Sequence, residues 1–152
     1  MDLLVPVLQR WTGCPVKLAE MGEQLMEGMV YVAPADRHLQ VMDSCQLELV
    51  DGRRISHTLS SADPMFRSAA EAFGPRLIAV VLTGTGRNGA AGVTTVHEHG
   101  GMVIAQDRET SAHFAMPAAA IATGAVDMVL PIGRIGPTLV QLLDHSRDAA
   151  AR

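Results

Sequence analysis

Aromatic side chains are scarce in this chain. One tryptophan, one tyrosine and three phenylalanines make up 3% of its 152 residues. The core must therefore rest on Ala, Val, Leu, Ile and Met, of which Met alone contributes nine. Cys14 and Cys45 have no metal-ligand spacing, and two cysteines make no disulfide framework, so a reduced, cytoplasmic compartment is expected. Basic charge is not in surplus: 12 Lys and Arg against 16 Asp and Glu leave a net charge of −4. That balance excludes the footprint of a nucleic-acid binder. No apolar run approaches the roughly 20 residues that span a bilayer, so no membrane insertion is expected. Met1 to Pro6 lacks the basic segment of a signal peptide. No acidic or histidine cluster has zinc or calcium ligand spacing, and neither metal nor cofactor is expected.

What is present suits one α/β domain over residues 1–152. Hydrophobic residues make up 48%, enough for a real core. The chain is organised around the apolar run Leu77 to Leu82, the glycine-rich turn Thr83 to Gly89 and a helix over Ala90 to His99. An unbroken apolar run reads as a strand covered on both faces, and loops at strand C-termini gather ligands and catalytic groups.

Upstream, Asp2 to Trp11 reads as a helix. Val16–Glu20, Met29–Ala33, Leu39–Met42 and Gln46–Val50 read as short strands and hairpins. Glu20, Glu23 and Glu27 read as solvated surface around a turn. Arg53 to Ala62 is a polar linker, and Ser61-Ala62-Asp63-Pro64 announces a helix through Met65 to Phe73. Downstream come a strand at Met102–Gln106, a loop to Phe114 and a helix over Ala118 to Thr123. A strand at Val126–Leu130 and a helix over Ile135–Leu143 follow, with a frayed tail after Asp144. Strands and helices alternating in this way imply a doubly wound, mainly parallel sheet with flanking helices, a three-layer sandwich with an N-terminal hairpin region.

Gly84-x-Gly86-x-x-Gly89 formally matches the dinucleotide fingerprint, with Asp107 near the place of a ribose-binding acid. A nucleotide-binding module is thus the alternative reading. The simpler explanation is a tight strand-to-helix turn that needs glycine for its backbone angles.

Leu82-Thr83-Gly84-Thr85-Gly86-Arg87-Asn88-Gly89-Ala90-Ala91-Gly92 resembles the Leu-Thr-Gly-Met-Gly-x-Asp-Gly-Ala-x-Gly stretch of the CheB family, the chemotaxis protein-glutamate methylesterases. Further blocks follow in order. They are Gly28 to Pro34 with Arg37-His38-Leu39, Asp63 with Phe66 to Ala70, Gly100-Gly101, Ala105-Gln106-Asp107, Phe114 to Pro117, Gly124 to Asp127 and Val129 to Pro131. The resemblance covers roughly Cys14 to Leu143.

It implies a Ser-His-Asp hydrolase acting on glutamate methyl esters, and on certain glutamines, of chemoreceptor cytoplasmic helices. The family's Asp falls on Asn88. Gly84, Thr85, Gly86, Gly89, Phe114 and Met116 fall on the loops around the active cleft, with Thr85 in place of the usual Met. The family's Gly-Ala-Ser-Thr-Gly-Gly and Gln-His-Met stretches have no counterpart in these 152 residues. The resemblance therefore implies a domain lacking its N-terminal strand-helix-strand part and a receiver domain: a truncated pseudoenzyme, inactive alone. Sheet edges so uncovered favour a homo-dimer. Of the six histidines, His113 is the local candidate for a replacement base. His38 reads as satisfying local hydrogen bonds, and His97 and His99 as surface. Ser44, Ser60, Ser61 and Ser111 read as turns and caps. Asn88-Gly89 is also a dipeptide prone to losing its side-chain amide.

Overall fold

The computed structural model describes residues 3–51 and 61–151. Most of the linker, with His57 and Ser60, lies outside the described residues. The elements are α1 (Leu4–Thr12), β1 (Val16–Leu18), β2 (Val30–Val32), β3 (Arg37–Val41), β4 (Leu47–Asp51), α2 (Ala62–Phe73), a 3-10 turn (Gly74–Arg76), β5 (Ile78–Val81), α3 (Ala90–Glu98), β6 (Met102–Gln106), α4 (Ala115–Ala122), β7 (Met128–Leu130) and α5 (Ile132–Ala150). The architecture is mixed α/β, with a parallel sheet and flanking helices, as the alternation of apolar runs implies.

β5, β6 and β7 form a parallel sheet in that order, with Val80 opposite Ile104 and Ile104 opposite Met128. Ala79, Val81 and Val103 point from the strands into one cluster with Val93 and Val96 of α3, Ala120 of α4 and Phe66 of α2. Small side chains on both sides let sheet and helices approach closely, which is how a core with few aromatics stays dense. On the other side of β6, Ile104 and Gln106 are also buried, and α5 lies against this strand. Ile78 and Val80 on β5 are only half-buried.

Four local expectations need correction. The first third is not all hairpins: β3 and β4 pair antiparallel, but β1 and β2 pair in parallel. The segment between β1 and β2 detours to the β3–β4 hairpin, where Gly22 N donates to Leu47 O and Leu25 N donates to Cys45 O, before it returns. α4 begins at Ala115, so Pro117 falls in its first turn, where a missing N–H is tolerated. β7 starts late because Asp127 is occupied: its Oδ2 accepts from Val103 N at 2.8 Å. α5 runs from Ile132 to Ala150, with no frayed tail after Asp144.

Glu23 is the residue of the acidic trio that is not plain surface. Its side chain is 19% exposed, and Oε2 lies 2.7 Å from Lys17 Nζ. The same glutamate's Oε1 accepts from Glu20 N at 2.6 Å. The Glu23 hydrogen bond, with that of Glu20 behind it, holds Lys17 up to about 12. Lys17 in turn holds the Glu23 carboxyl below its ordinary 4.5. A lowered carboxylate stabilises above its ordinary value and loses that contribution as pH falls through the lowered one. A raised lysine stabilises below its ordinary 10.5 and loses the contribution as pH rises toward about 12. Thermal melts of wild type and Glu23→Gln are therefore expected to differ by a constant amount between these limits and to converge outside them.

α2 and α3 meet at Gly92. A Cβ there would sit 2.7 Å from Phe66 Cβ and 3.1 Å from Asp63 Cα. Neither neighbour is the end of a flexible chain. Gly92→Ala is expected to cost about 1–3 kcal/mol by overpacking, read as a lower denaturation midpoint with an unchanged m-value.

Candidate functional site

The site grows from the first turn of α2. A helix start leaves backbone N–H groups without partners, and here each finds a side chain. Ser61 N donates to His38 Nδ1 at 2.8 Å, Ala62 N donates to Asn88 Oδ1 at 2.7 Å, and Asp63 N donates to Ser61 Oγ at 3.3 Å. His38 is fully buried, and its accepting Nδ1 places the neutral ring's hydrogen on Nε2. The expectation that His38 satisfies local hydrogen bonds holds.

Asn88 takes a second bond: Ser61 Oγ donates to its Oδ1 at 2.9 Å. A backbone N–H can only donate, so the atom it meets is the amide's oxygen. Asp63 completes the tie between helices, its Oδ1 accepting from Gly92 N at 2.7 Å in the first turn of α3.

The glycine turn is stitched to the loop before α4. Gly84 N donates to His113 O at 2.8 Å, and Met116 N donates to Gly84 O at 3.1 Å. Thr83 Oγ1 accepts from His113 N at 2.8 Å. The buried Gln106 side chain, at the end of β6, anchors both: Oε1 accepts from Thr83 N and Nε2 donates to Thr110 O, each at 2.8 Å. A Cβ on Gly84 would meet Met116 Sδ, the movable end of a flexible side chain, so the glycine leaves Met116 room in its present rotamer. Gly89, at φ 92, faces Phe66, and Gly86, at φ 84, is open to solvent. Phe114 is half-buried under the Arg108 guanidinium, 4.5 Å from ring centre. Thr85 is exposed.

Asn88, Ser61, Ala62 and Met65 line a cavity of about 240 Å³ with Ala33, Arg37 and Leu39. A larger groove of about 390 Å³ lies between α2 and the β3–β4 hairpin, lined in part by Gln40, Glu48 and Arg67. It contains none of the glycine-turn residues, so the smaller cavity is the one near the chemistry. His113 is exposed and joins the turn through its backbone, which gives no support to a replacement base.

A family model described as CheB methylesterase matches residues 1–139. The chain belongs to the CheB methylesterase family. A Pyrococcus horikoshii protein-glutamate methylesterase/protein-glutamine glutaminase is 43% identical over 135 residues, which are 87% of this chain and 37% of that protein. The Myxococcus xanthus protein-glutamate methylesterase FrzG is 42% identical over 137 residues, 90% of this chain and 41% of that protein. The crystal structure of the Thermotoga maritima CheB methylesterase catalytic domain superposes with a TM-score of 0.85 at 37% identity, covering 91% of this chain and 75% of that one. The chain thus spans well under half the length of these curated relatives.

In this CheB-type corner the features of the nucleotide alternative are committed elsewhere. The anion position at the start of α3 is taken by Asp63. Asp107 Oδ1 accepts from Thr110 N at 3.0 Å and from Thr110 Oγ1 at 2.6 Å, closing its own loop. No observation favours a dinucleotide. Among the described residues no helix is long and apolar enough to cross a membrane, and no cluster is suited to a metal ion.

Sequence reasoning marked Ser61 and Asp63 as helix-start residues but missed that Ser61 meets Asn88 of the glycine turn and Asp63 meets Gly92 in the first turn of α3. A capping serine and a first-turn acid are what any helix start shows. Nothing in their spacing from Asn88 signals the contact.

Proposed function

We propose that this chain is a CheB-type domain that engages chemoreceptor cytoplasmic helices without hydrolysing their methyl esters, with Asn88 at the place of the family's catalytic Asp. The observation that carries this is the orientation of the Asn88 amide. Its oxygen is used by Ala62 N and Ser61 Oγ. A carboxylate held in the same way keeps a second oxygen that accepts from a histidine N–H. The amide instead offers only N–H groups, which meet an imidazole lone pair and hold the ring in the tautomer that cannot take a proton from serine. The 152 residues also contain no Gly-x-Ser turn and no Gln-His pair.

A methylated chemoreceptor fragment mixed with the purified chain tests the reading. Co-sedimentation without methanol release is expected. Failure to bind removes the receptor role, and methanol release far above buffer removes the claim of silence. Ile132, Val140 and Leu143 on α5 are 50%, 60% and 55% exposed, which favours self-association in the cytoplasm. Light scattering is expected to give a dimer mass; a monomer at every concentration contradicts it.

A further inference from the structure

We propose that Asn88 is a site of self-catalysed deamidation, converting the chain's single asparagine to aspartate. The sequence supplies one half of the reason. Asn88 is the only asparagine among the 152 residues, and Gly89 follows it, so the residue that supplies the attacking backbone nitrogen has no Cβ to stand in the way. The structure supplies the other half. Ala62 N–H at 2.7 Å and Ser61 O–H at 2.9 Å converge on Asn88 Oδ1. That oxygen takes up negative charge when Cγ becomes tetrahedral. Paired, fixed donors of this kind lower the barrier to acyl transfer, and loss of one slows it. Ala62 N is fixed in the first turn of α2 and Ser61 caps the same helix, so both donors are in place before the reaction begins.

The step balances with water alone. The Gly89 nitrogen gives its proton to solvent hydroxide and forms a bond to Asn88 Cγ. The Cγ–Nδ2 bond breaks, and the nitrogen leaves as ammonia with a proton taken back from water. The cyclic imide so formed adds water and Gly89 N regains a hydrogen: reopening of the Gly89 N–Cγ bond gives aspartate, and reopening of the bond to the Asn88 main-chain carbonyl gives the isoaspartyl isomer of the same mass. One water is consumed, one ammonia is released, and nothing is oxidised or reduced. The product aspartate keeps both donors on a carboxylate oxygen. The inference concerns Cγ and its neighbours only and stands apart from the receptor role proposed above.

Intact mass and peptide mapping over time, at neutral and mildly alkaline pH, test it, with Asn88→Asp as the mass standard. With one asparagine present, a fast amide-to-acid mass gain has one place to occur. The folded wild type is expected to gain that mass at the Asn88 peptide faster than the same chain held unfolded in urea. Ser61→Ala is expected to slow the gain roughly fivefold, the loss of one neutral hydrogen bond. Ser61→Thr, which keeps a hydroxyl and a helix cap, is expected to restore it. A folded rate equal to or below the unfolded rate overturns the proposal whether or not Ser61→Ala folds. So does a Ser61→Ala protein that folds and deamidates as fast as wild type.

Discussion

An intact CheB-type enzyme whose triad aspartate is changed to asparagine, at the position matched by Asn88, is expected to lose roughly 10⁴-fold in kcat with KM little altered. The size of the effect follows from tautomers rather than from lost binding. Here Asn88 Oδ1 is held by Ala62 N at 2.7 Å and Ser61 Oγ at 2.9 Å, so rotation of the amide to present its oxygen to a histidine breaks both bonds. The start of α2 thereby fixes where the amide oxygen points. Substrate contacts are untouched by the exchange, which is why the loss is expected in kcat. The reciprocal change in this chain, Asn88→Asp, restores an acceptor yet is expected to leave methanol release at the buffer rate, since no serine in a glycine turn is present. Equal loss in kcat and gain in KM in the intact enzyme would mean that the residue positions substrate rather than histidine.

Asn88→Ala is expected to lower stability by about 2–4 kcal/mol. The truncation strands the Ala62 N–H and leaves the Ser61 hydroxyl only a long alternative, Asp63 Oδ2 at 3.4 Å. Both donors are partly buried, so water replaces the lost acceptor poorly. At roughly 2–4 °C per kcal/mol for a domain of this size, the melting temperature falls by about 5–15 °C. Asn88→Asp behaves differently. It keeps an oxygen for both donors and adds charge to the bonds, while the nearby Asp63 carboxylate opposes a second negative charge. The two effects offset, and a change within about 1 kcal/mol of wild type is expected by the same chemical denaturation. A destabilisation of Asn88→Asp as large as that of Asn88→Ala would show that the two donors do not need an oxygen there.

The fold was legible where the chain states it locally. The run from Leu77 to Leu82 is apolar without interruption, and Ile78–Val81 within it is a strand buried on one side and half-buried on the other. Gly86 and Gly89 mark the turn because both take a positive φ, 84° and 92°, that other residues rarely adopt. Parallel pairing of β1 with β2 was not legible. It depends on the intervening segment leaving to bond Leu47 and Cys45, and no short-range pattern encodes a detour. The far end of α5 was not legible because Asp144 to Ala150 are all exposed and lack the one-sided burial that marks a packed helix. At the site, Asn88 could be named from its neighbours in the chain. Its partners Ser61 and Ala62 are 27 and 26 residues away and meet it only once α2 and α3 cross. The crossing is set by Gly92, whose own significance shows only when Phe66 is seen against it.

Which end of the Asn88 amide meets the first turn of α2 is the point on which activity, stability and deamidation all turn. NMR detection of scalar coupling across the hydrogen bond, from the Ala62 amide nitrogen to the Asn88 side-chain carbonyl carbon, reports it directly, and the single asparagine makes selective labelling unambiguous. A resolved coupling, with the Ala62 amide hydrogen protected from exchange, is the predicted result. An absent coupling together with an Ala62 amide that exchanges at the rate of an open chain would contradict it.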